Sequence, residues 1–389
     1  MTISPSAKAA GLQMYNNTAA GELALPRDVD AVSSASAATT CSSTCSSTCS
    51  SGSSTSSNNV GGKRSLKLAK LRRKISNVQQ LWLYPFTHYK PTNQVMLCYR
   101  TLFQDLQEPG SNEDYLAAKF RDELMPLRGW VHHHLPSLLH INKAFIQGPA
   151  FGCPGIMTYL DARTRWLDGE VQRAIREGVT QVVVVAAGYD TRAYRLSAPG
   201  VSYFEIDLPE ASESKRKLVE KTLPADQFPR PTYIAADLSR VSLSDALLGA
   251  NCRNGPGLFD PAARTLFTVE GLVYYLPPAA VTRLFESIRQ VASPGSRVAF
   301  DFLHQDVFSG RKWAPGYETL RLTVKNKGEP KRSGLDPAGV RDYLGPMGWR
   351  LSYMPKPKEV AAAMYPHRKW SKINPVIPPF YNFAVAEAV

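Results

Sequence analysis

The sequence predicts an α/β fold in which a doubly wound, mostly parallel sheet is covered by helices. The second half of the chain alternates short β-branched runs with helical patterns, as parallel strands joined by crossover helices require. The first run, Gln181–Ala187, is almost entirely apolar, which is typical of a central strand covered on both faces. With 389 residues, of which 43% are hydrophobic, the chain has enough apolar material for one large domain with additions.

Seven strands can be placed in order along the chain. The predicted strands after Gln181–Ala187 are Ser202–Ile206, Thr232–Ala235, Thr265–Val269, Ser296–Phe302, Trp349–Met354 and Phe380–Ala386. The spacing of apolar residues predicts helices at Ser212–Lys221 and Pro278–Ala292, between strands. Because parallel strands need right-handed crossovers, this alternation predicts helices on both faces of the sheet.

Two regions precede the sheet. Residues 1–62 are predicted to be a disordered tail, because Ser and Thr fill 18 of 25 positions from Ser33 to Ser57 and leave almost nothing to bury. Residues 63–160 carry a basic segment and proline-broken helical patterns, and we expect them to form a helical lid and acceptor region. Residues 161–389 are expected to form the core, with an insertion near residues 303–345.

The net charge of +13 is concentrated in one short segment. About half of it comes from seven basic residues between Lys63 and Lys74, with no acidic residue among them. Such a run is compatible with contact to an RNA, a membrane surface or a targeting receptor, and equally with the solvated start of a helix. Since the remaining charge balance is ordinary for an enzyme, we predict no nucleic-acid partner.

Composition excludes several classes of protein. No apolar run reaches the roughly 18 residues of a membrane-spanning helix, so we expect no integral membrane association. Six cysteines without a C-x-x-C pair exclude a disulfide scaffold and a zinc finger, and no metal site is predicted. These features favour a cytoplasmic protein. Import into a plastid or mitochondrion through the Ser-rich tail is the alternative, although three acidic residues in that tail argue against it.

Acidic residues follow three successive predicted strands. In a doubly wound sheet the ligand lies beyond the carboxyl ends of the strands. Gly188 follows the first strand and lets the backbone pass close to a ligand. Asp207 ends the second strand 19 residues later, the spacing at which a carboxylate accepts both ribose hydroxyls of an adenosine. The alternative for Asp207 is a simple turn residue.

The next two strand ends extend this pattern. Asp237, after the third strand, is suited to bind an adenine amino group, with Leu238 packed on the ring. Glu270 follows the fourth strand. One acid at a strand end is common, whereas three in succession predict a nucleoside-binding edge. The sequence has no G-x-G-x-x-G, which disfavours a dehydrogenase, and no Ser-His-Asp or similar constellation that would supply a general base.

Five motifs in order resemble those of the S-adenosylmethionine-dependent methyltransferases of the leucine carboxyl methyltransferase family, particularly the branch related to bacterial polyketide-associated enzymes. The family's first-strand loop has the form G-A-G-x-D-[ST]-R-x-x-R-L, and its fourth-strand motif is E-G-[LV]-x-x-Y-[LM]. The matching segments here are Ala162–Arg165, Ala186–Leu196, Phe204–Pro209, Asp237–Leu238 and Glu270–Leu276. The resemblance runs from about residue 112 to the C-terminus.

This resemblance implies a class I methyltransferase fold, which is Rossmann-like with a seven-stranded sheet, and S-adenosyl-L-methionine as cofactor. The implied cofactor contacts are Arg163 with the carboxylate, Asp207 with the ribose, Asp237 and Leu238 with the adenine, Glu270 on the ammonium side, and Ala186 and Gly188 along the backbone. Ala186 stands where the family has glycine. Its methyl group fits at negative φ but crowds the methionine moiety if φ must be positive.

We therefore expect an O-methyltransferase that acts on a carboxylate or hydroxyl of a small molecule. A carboxylate acceptor is already ionised at neutral pH and needs no general base, so no catalytic residue is assigned. Four aromatic residues are candidates for the walls of the acceptor pocket, with a place in the hydrophobic core as the alternative: Tyr274, Tyr275, Trp313 and Tyr317. One alternative is methylation of the C-terminal leucine of a protein phosphatase catalytic subunit. The other is a non-catalytic binding protein on a degenerate methyltransferase fold.

Overall fold

A computed structural model of the chain describes residues 92–149, 152–249, 258–326 and 330–389. The predicted tail at residues 1–62 and the basic run that follows it lie outside these residues. The strands are β1 Gln181–Val185, β2 Ser202–Asp207, β3 Thr232–Ala235, β4 Thr265–Val269, β5 Arg297–Leu303, β6 Trp349–Tyr353 and β7 Tyr381–Ala388. The sequence-based strand bounds agree with these to within about two residues.

The α-helices are distributed before, between and after the strands. Those that precede the sheet are α1 Thr92–Asp105, α2 Tyr115–Leu124, α3 Pro126–His134, α4 Pro136–Gln147 and α5 Ile156–Arg176. Those that follow are α6 Arg192–Arg195, α7 Pro209–Thr222, α8 Leu243–Leu248, α9 Pro278–Val291, α10 Gln305–Phe308, α11 Tyr317–Asn326, α12 Val340–Leu344 and α13 Pro357–Met364. In the ranges that the structure describes, no helix is both long and apolar enough to cross a membrane.

The strands form a seven-stranded sheet in the order β3-β2-β1-β4-β5-β7-β6. Strands β1 to β5 pair in parallel, and β7 is antiparallel to both β5 and β6. This arrangement confirms the predicted doubly wound, mostly parallel sheet. The strand order reverses between β1 and β4, so a ligand crevice is expected at the carboxyl ends of these two strands.

The valines of β1 explain why this strand reads as an apolar run. Successive side chains of a strand point to opposite faces of the sheet. Val182 and Val184 belong to the apolar core on one face, and Val183 and Val185 to the core on the other. All four are buried, because helices cover both faces.

Asp114 joins the N-terminal helices to the loop after β1. Its Oδ1 atom accepts a hydrogen bond from the Ala117 amide at 3.0 Å, which caps the start of α2. The same atom accepts from the Thr191 hydroxyl at 2.6 Å and lies 3.1 Å from Arg195 Nε. Since Asp114 is fully buried, these contacts fix the helical region against the edge of the sheet.

Candidate active site

A cavity of about 510 Å³ lies at the carboxyl ends of β1 and β4, where the strand order reverses. Its floor is formed by the end of β1 with the loop that follows, and by Glu270 and Gly271 after β4. Side chains of α1, α4 and α5 form one wall, and α11 forms part of the other. The predicted lid and the 303–345 insertion therefore both contribute to the cavity.

The loop after β1 adopts left-handed backbone at two positions. Ala186 has φ +54° and Gly188 has φ +47°. A Cβ atom built on Gly188 would meet nothing within 4 Å, so space is open beside this residue. Strand β1 ends at Val185, and the turn begins at the next residue. A left-handed backbone costs alanine about 1–2 kcal/mol. Ala186 thus occupies the conformation for which glycine is the preferred residue.

The Asp207 carboxylate supports the same loop. Its Oδ2 atom accepts a hydrogen bond from the Gly188 amide at 2.6 Å, and its Oδ1 atom accepts from the Leu208 amide at 2.7 Å. Asp207 is half-buried and does not itself line the cavity, although Gly188 does. Each carboxylate oxygen can accept more than one hydrogen bond, so both keep capacity for a ligand hydroxyl.

Asp237 and Leu238 lie after β3, farther from the cavity. Neither is among the described residues that line it, and both are half-exposed. Hydrogen bonds from the Ser239 hydroxyl and amide, at 2.7 and 2.9 Å, hold the pKa of the Asp237 carboxyl below its ordinary value. Their predicted contact with adenine stays a prediction.

Glu270 is the centre of an arginine cluster. Its carboxylate accepts hydrogen bonds from Arg100 at 2.9 Å and Arg192 at 2.6 Å, and it lies 3.1 Å from Arg163 Nε. Burial opposes ionisation of Glu270, but the charges of these three arginines outweigh it and hold the pKa of the carboxyl well below its usual range. Much of its hydrogen-bonding capacity is therefore used within the protein.

Arg163 lies on the cavity wall and is nearly buried. Its Nη1 atom donates to the Tyr274 hydroxyl at 3.1 Å and is 3.6 Å from Asp301 Oδ2. The guanidinium carbon lies 5.6 Å from the centre of the Tyr159 ring. Burial disfavours its charge, yet Glu270 and the other neighbours raise the pKa of Arg163 further, so it stays cationic. This cation suits a ligand carboxylate.

The acceptor-side aromatic residues are only partly as predicted. Tyr274 and Tyr275 line the cavity. Tyr317 instead packs edge-on against Phe380 with 5.2 Å between ring centres. The prediction for Trp313 is wrong, because this side chain is 79% exposed. It lies in the turn between α10 and α11, outside the cavity.

Sequence reasoning missed many of the side chains that line the cavity. They include Arg100, Tyr159, Lys331 and Tyr381. Arg100 lies in α1, 170 positions from the carboxylate that it binds, and no motif marked it. Lys331 lies in the insertion between β5 and β6, a region whose contacts no sequence pattern specified.

Sequence comparison places this architecture among known proteins. Residues 103–289 match the leucine carboxyl methyltransferase family. The chain is similar to two proteins named "Putative S-adenosyl-L-methionine-dependent methyltransferase". It is 33% identical over 231 residues to one from Mycolicibacterium smegmatis, covering 56% of this chain and 70% of that protein. It is 40% identical over 146 residues to one from Mycobacteroides abscessus, covering 37% of this chain and 46% of that protein.

The chain spans about half to two thirds of the length of the curated relatives it matches. Among solved structures, it aligns with a duf574 family protein from Streptomyces avermitilis at a TM-score of 0.47 and 15% identity, covering 75% of this chain and 97% of that one. It also aligns with magnesium protoporphyrin IX methyltransferase from Synechocystis PCC 6803, at a TM-score of 0.36 and 13% identity, covering 59% and 85%.

Proposed function

The chain belongs to the leucine carboxyl methyltransferase family, and from this premise we propose that it is an S-adenosyl-L-methionine-dependent O-methyltransferase that acts on a small molecule. The acceptor atom proposed is a carboxylate or hydroxyl oxygen. The observation that carries this proposal is that Arg163, Ala186, Gly188 and Glu270 meet at one cavity beyond the carboxyl ends of β1 and β4.

The residues that line this cavity, together with Asp207 beside its floor, are of the types that the cofactor needs. Arg163 is a permanent cation on the wall and would bind the carboxylate of the amino-acid moiety. Asp207 would accept from the ribose hydroxyls with the capacity left beside its two backbone hydrogen bonds. The open space beside Gly188 allows a ligand to pass close to the backbone. When bound, the cofactor supplies an electrophilic methyl group on a sulfonium.

We propose a second part for Glu270, beside the contact with the ammonium side that the resemblance implies. Because its carboxylate binds three arginines, it fixes Arg100 and Arg163 at the cavity wall. The role we propose for Glu270 is to hold these cations in place, with any contact to the ammonium group made by the remaining capacity of its oxygens.

The remaining protein contribution is positioning and exclusion of water. Apolar side chains of α1, α4 and α5 line the cavity: Met96, Leu97, Phe145, Ile146, Met157 and Leu160. An apolar lining would strip water from the acceptor oxygen, and holding that oxygen in line with the methyl group would supply much of the acceleration. An apolar pocket with few polar groups is also the usual form of a small-molecule site.

Calorimetry tests the proposal directly. We expect the protein to bind S-adenosylmethionine and S-adenosylhomocysteine, and not to bind NADH. The Arg163→Met variant should lose affinity for both, whereas the matched Arg165→Met variant should keep it, because Arg165 donates to the Met364 carbonyl and does not line the cavity. Binding of NADH with no heat from either methionine-derived ligand would overturn the assignment.

A labelling experiment separates the acceptor classes. Protein incubated with methyl-labelled S-adenosylmethionine should label a low-mass fraction of a metabolite extract and leave a purified phosphatase catalytic subunit unlabelled. Base-labile label on the phosphatase at stoichiometric level would favour the protein-tail alternative. Cofactor binding without transfer to either fraction would favour the non-catalytic alternative.

A further inference from the structure

Lys331 is a buried lysine on the cavity wall. Its side chain lies among aromatic rings, with Nζ 4.4 Å from the centre of the Tyr381 ring and 4.8 Å from that of Tyr274. It donates a hydrogen bond to the Tyr381 hydroxyl. The residue is 9% exposed, and no carboxylate oxygen of the described residues lies within 4.0 Å of its Nζ.

The backbone holds Lys331 at a fixed position. The amides of Arg332 and Ser333 both donate to the Tyr274 carbonyl, at 2.8 and 3.4 Å. The Ser333 hydroxyl donates to the Val273 carbonyl at 3.0 Å, and Ser333 is buried. The side chain therefore projects from a segment anchored to the strand-end motif, unlike a lysine on a mobile surface chain.

The charges near Lys331 do not neutralise it. The Asp301 carboxylate accepts hydrogen bonds from the Tyr159 hydroxyl and, at 2.6 Å, from the Gly271 amide. It also lies 3.6 Å from Arg163 Nη1 as an ion pair. Burial lowers the pKa of Lys331 to about 7, Cys153 and Asp301 oppose this shift in part, and Arg163 adds to it. A buried ammonium without a counter-charge destabilises a fold. An anionic ligand would provide the missing charge.

Lys331 lies one aromatic side chain away from Arg163, the residue proposed to bind the cofactor carboxylate. Tyr274 accepts a hydrogen bond from Arg163 through its hydroxyl and packs against Lys331 through its ring. One aromatic side chain thus separates the proposed cofactor-carboxylate residue from the lysine, and all three line the same cavity. Apolar side chains of Met157, Leu320 and Val324 also line this cavity.

We infer that Lys331, with the Tyr381 hydroxyl, binds the acceptor through an anionic oxygen and so selects apolar molecules that carry an acidic group. The inference rests on the proposed function. In the transfer, an oxygen lone pair forms the new O–C bond while the S–C bond breaks and its electron pair stays on sulfur. Because the acceptor arrives as an anion, no proton moves, and Lys331 keeps its own.

Matched acid and amide probes test this assignment. The probes are octanoate and 4-phenylbutanoate, each with its primary amide, titrated into protein saturated with S-adenosylhomocysteine. We expect at least one acid to bind about tenfold or more tightly than its amide, as one charge-assisted hydrogen bond provides. Lys331→Met should abolish this preference, and Lys331→Arg should retain most of it.

Controls separate a structural role from recognition of the anion. Lys325→Met, an exposed change on α11, should bind all probes as the wild type does. Lys331→Met should bind S-adenosylhomocysteine as tightly as the wild type does. Its melting temperature should not fall, because the change removes a buried charge that has no counter-charge. If Lys331→Met does not fold, Lys331→Gln is used in its place. Equal binding of acid and amide, absence of acid binding at millimolar concentration, or a preference that survives in Lys331→Met would overturn the inference. Failure of S-adenosylhomocysteine to bind the wild type would instead contradict the proposed function.

Discussion

The Gly188 amide donates a hydrogen bond to Asp207 Oδ2 at 2.6 Å, which ties the end of β2 to the turn after β1. The second oxygen of the same carboxylate holds the Leu208 amide at 2.7 Å. Asp207 therefore shapes the backbone of the ligand loop in addition to the ribose contact proposed for it. A single side chain at this strand end couples the positions of two loops.

Replacing Asp207 should weaken cofactor binding more than replacing its neighbour on the next strand. Asp207→Ala removes a charged hydrogen-bond acceptor and releases the Gly188 amide. We therefore expect the binding free energy of S-adenosylhomocysteine to become less favourable by about 2–4 kcal/mol. Asp237→Ala, which removes a carboxylate outside the cavity, should have a smaller effect. Calorimetry measures both, and thermal unfolding should show that each variant is folded. Normal binding by Asp207→Ala would mean that Asp207 is only a turn residue.

Ala186→Gly should stabilise the protein. Ala186 has φ +54°, where alanine is strained and glycine is not, so the change should raise the free energy of unfolding by about 1 kcal/mol. The control is the change at the adjacent residue, Ala187→Gly. Ala187 is buried and does not have positive φ, so the loss of its methyl group should destabilise the protein. Urea unfolding measures both. An Ala186→Gly variant no more stable than the wild type would show that the loop carries no such strain.

The fold could be predicted because its strongest signal is local. The valines of β1 alternate between two cores, which is why a strand covered on both faces appears in the sequence as a continuous β-branched apolar run. The strand-end positions of Gly188 and Glu270 followed from the same reasoning, since the carboxyl ends of parallel strands share one edge. Family motifs then added Arg163, which no spacing argument would have found.

The part of the site that could not be predicted from the sequence depends on contacts between segments far apart in the chain. Arg100 reaches Glu270 across 170 positions, and Lys331 reaches Tyr381 across 50. Neither contact has a periodicity or a motif, because each is set by how a helix or an insertion packs on the sheet. Trp313 shows the reverse error, since an aromatic residue in the insertion says nothing about whether its side chain faces the cavity or solvent.

Glu270→Gln should destabilise the protein as well as impair binding. The carboxylate is the shared partner of Arg100, Arg163 and Arg192, and its neutral replacement removes one counter-charge from each of these guanidinium groups. Each arginine keeps a second carboxylate partner: Asp114, Asp301 and Asp168, respectively. We therefore expect a cost of at most about 3–5 kcal/mol, the figure for a buried charge that loses its partner. Glu213→Gln, which removes a half-exposed carboxylate paired with Arg216, should change urea unfolding little. Similar unfolding midpoints for the two variants would contradict the role proposed for Glu270.

The pH dependence of acid binding should report the charge of Lys331. The pKa of Lys331 is lowered to about 7 by burial, so the protonated form that attracts an anion is present below that pH and is lost above it. Other groups that face it are Asp301, Arg163, Cys153, Tyr274 and Tyr381. Burial raises the pKa of Cys153 to about 12 and holds those of Tyr274 and Tyr381 far above neutrality, while Arg163 stays charged.

Octanoate stays ionised above about pH 6, so its own titration does not contribute. We expect its affinity for protein saturated with S-adenosylhomocysteine to be highest near or below pH 7. Above the pKa of Lys331 in the free protein it should fall by up to about tenfold per pH unit, because each binding event must then take up a proton. In Lys331→Arg the affinity should be flat through pH 9, since a guanidinium does not titrate there. A wild-type affinity that stays flat or rises with pH would contradict recognition of the anion by protonated Lys331.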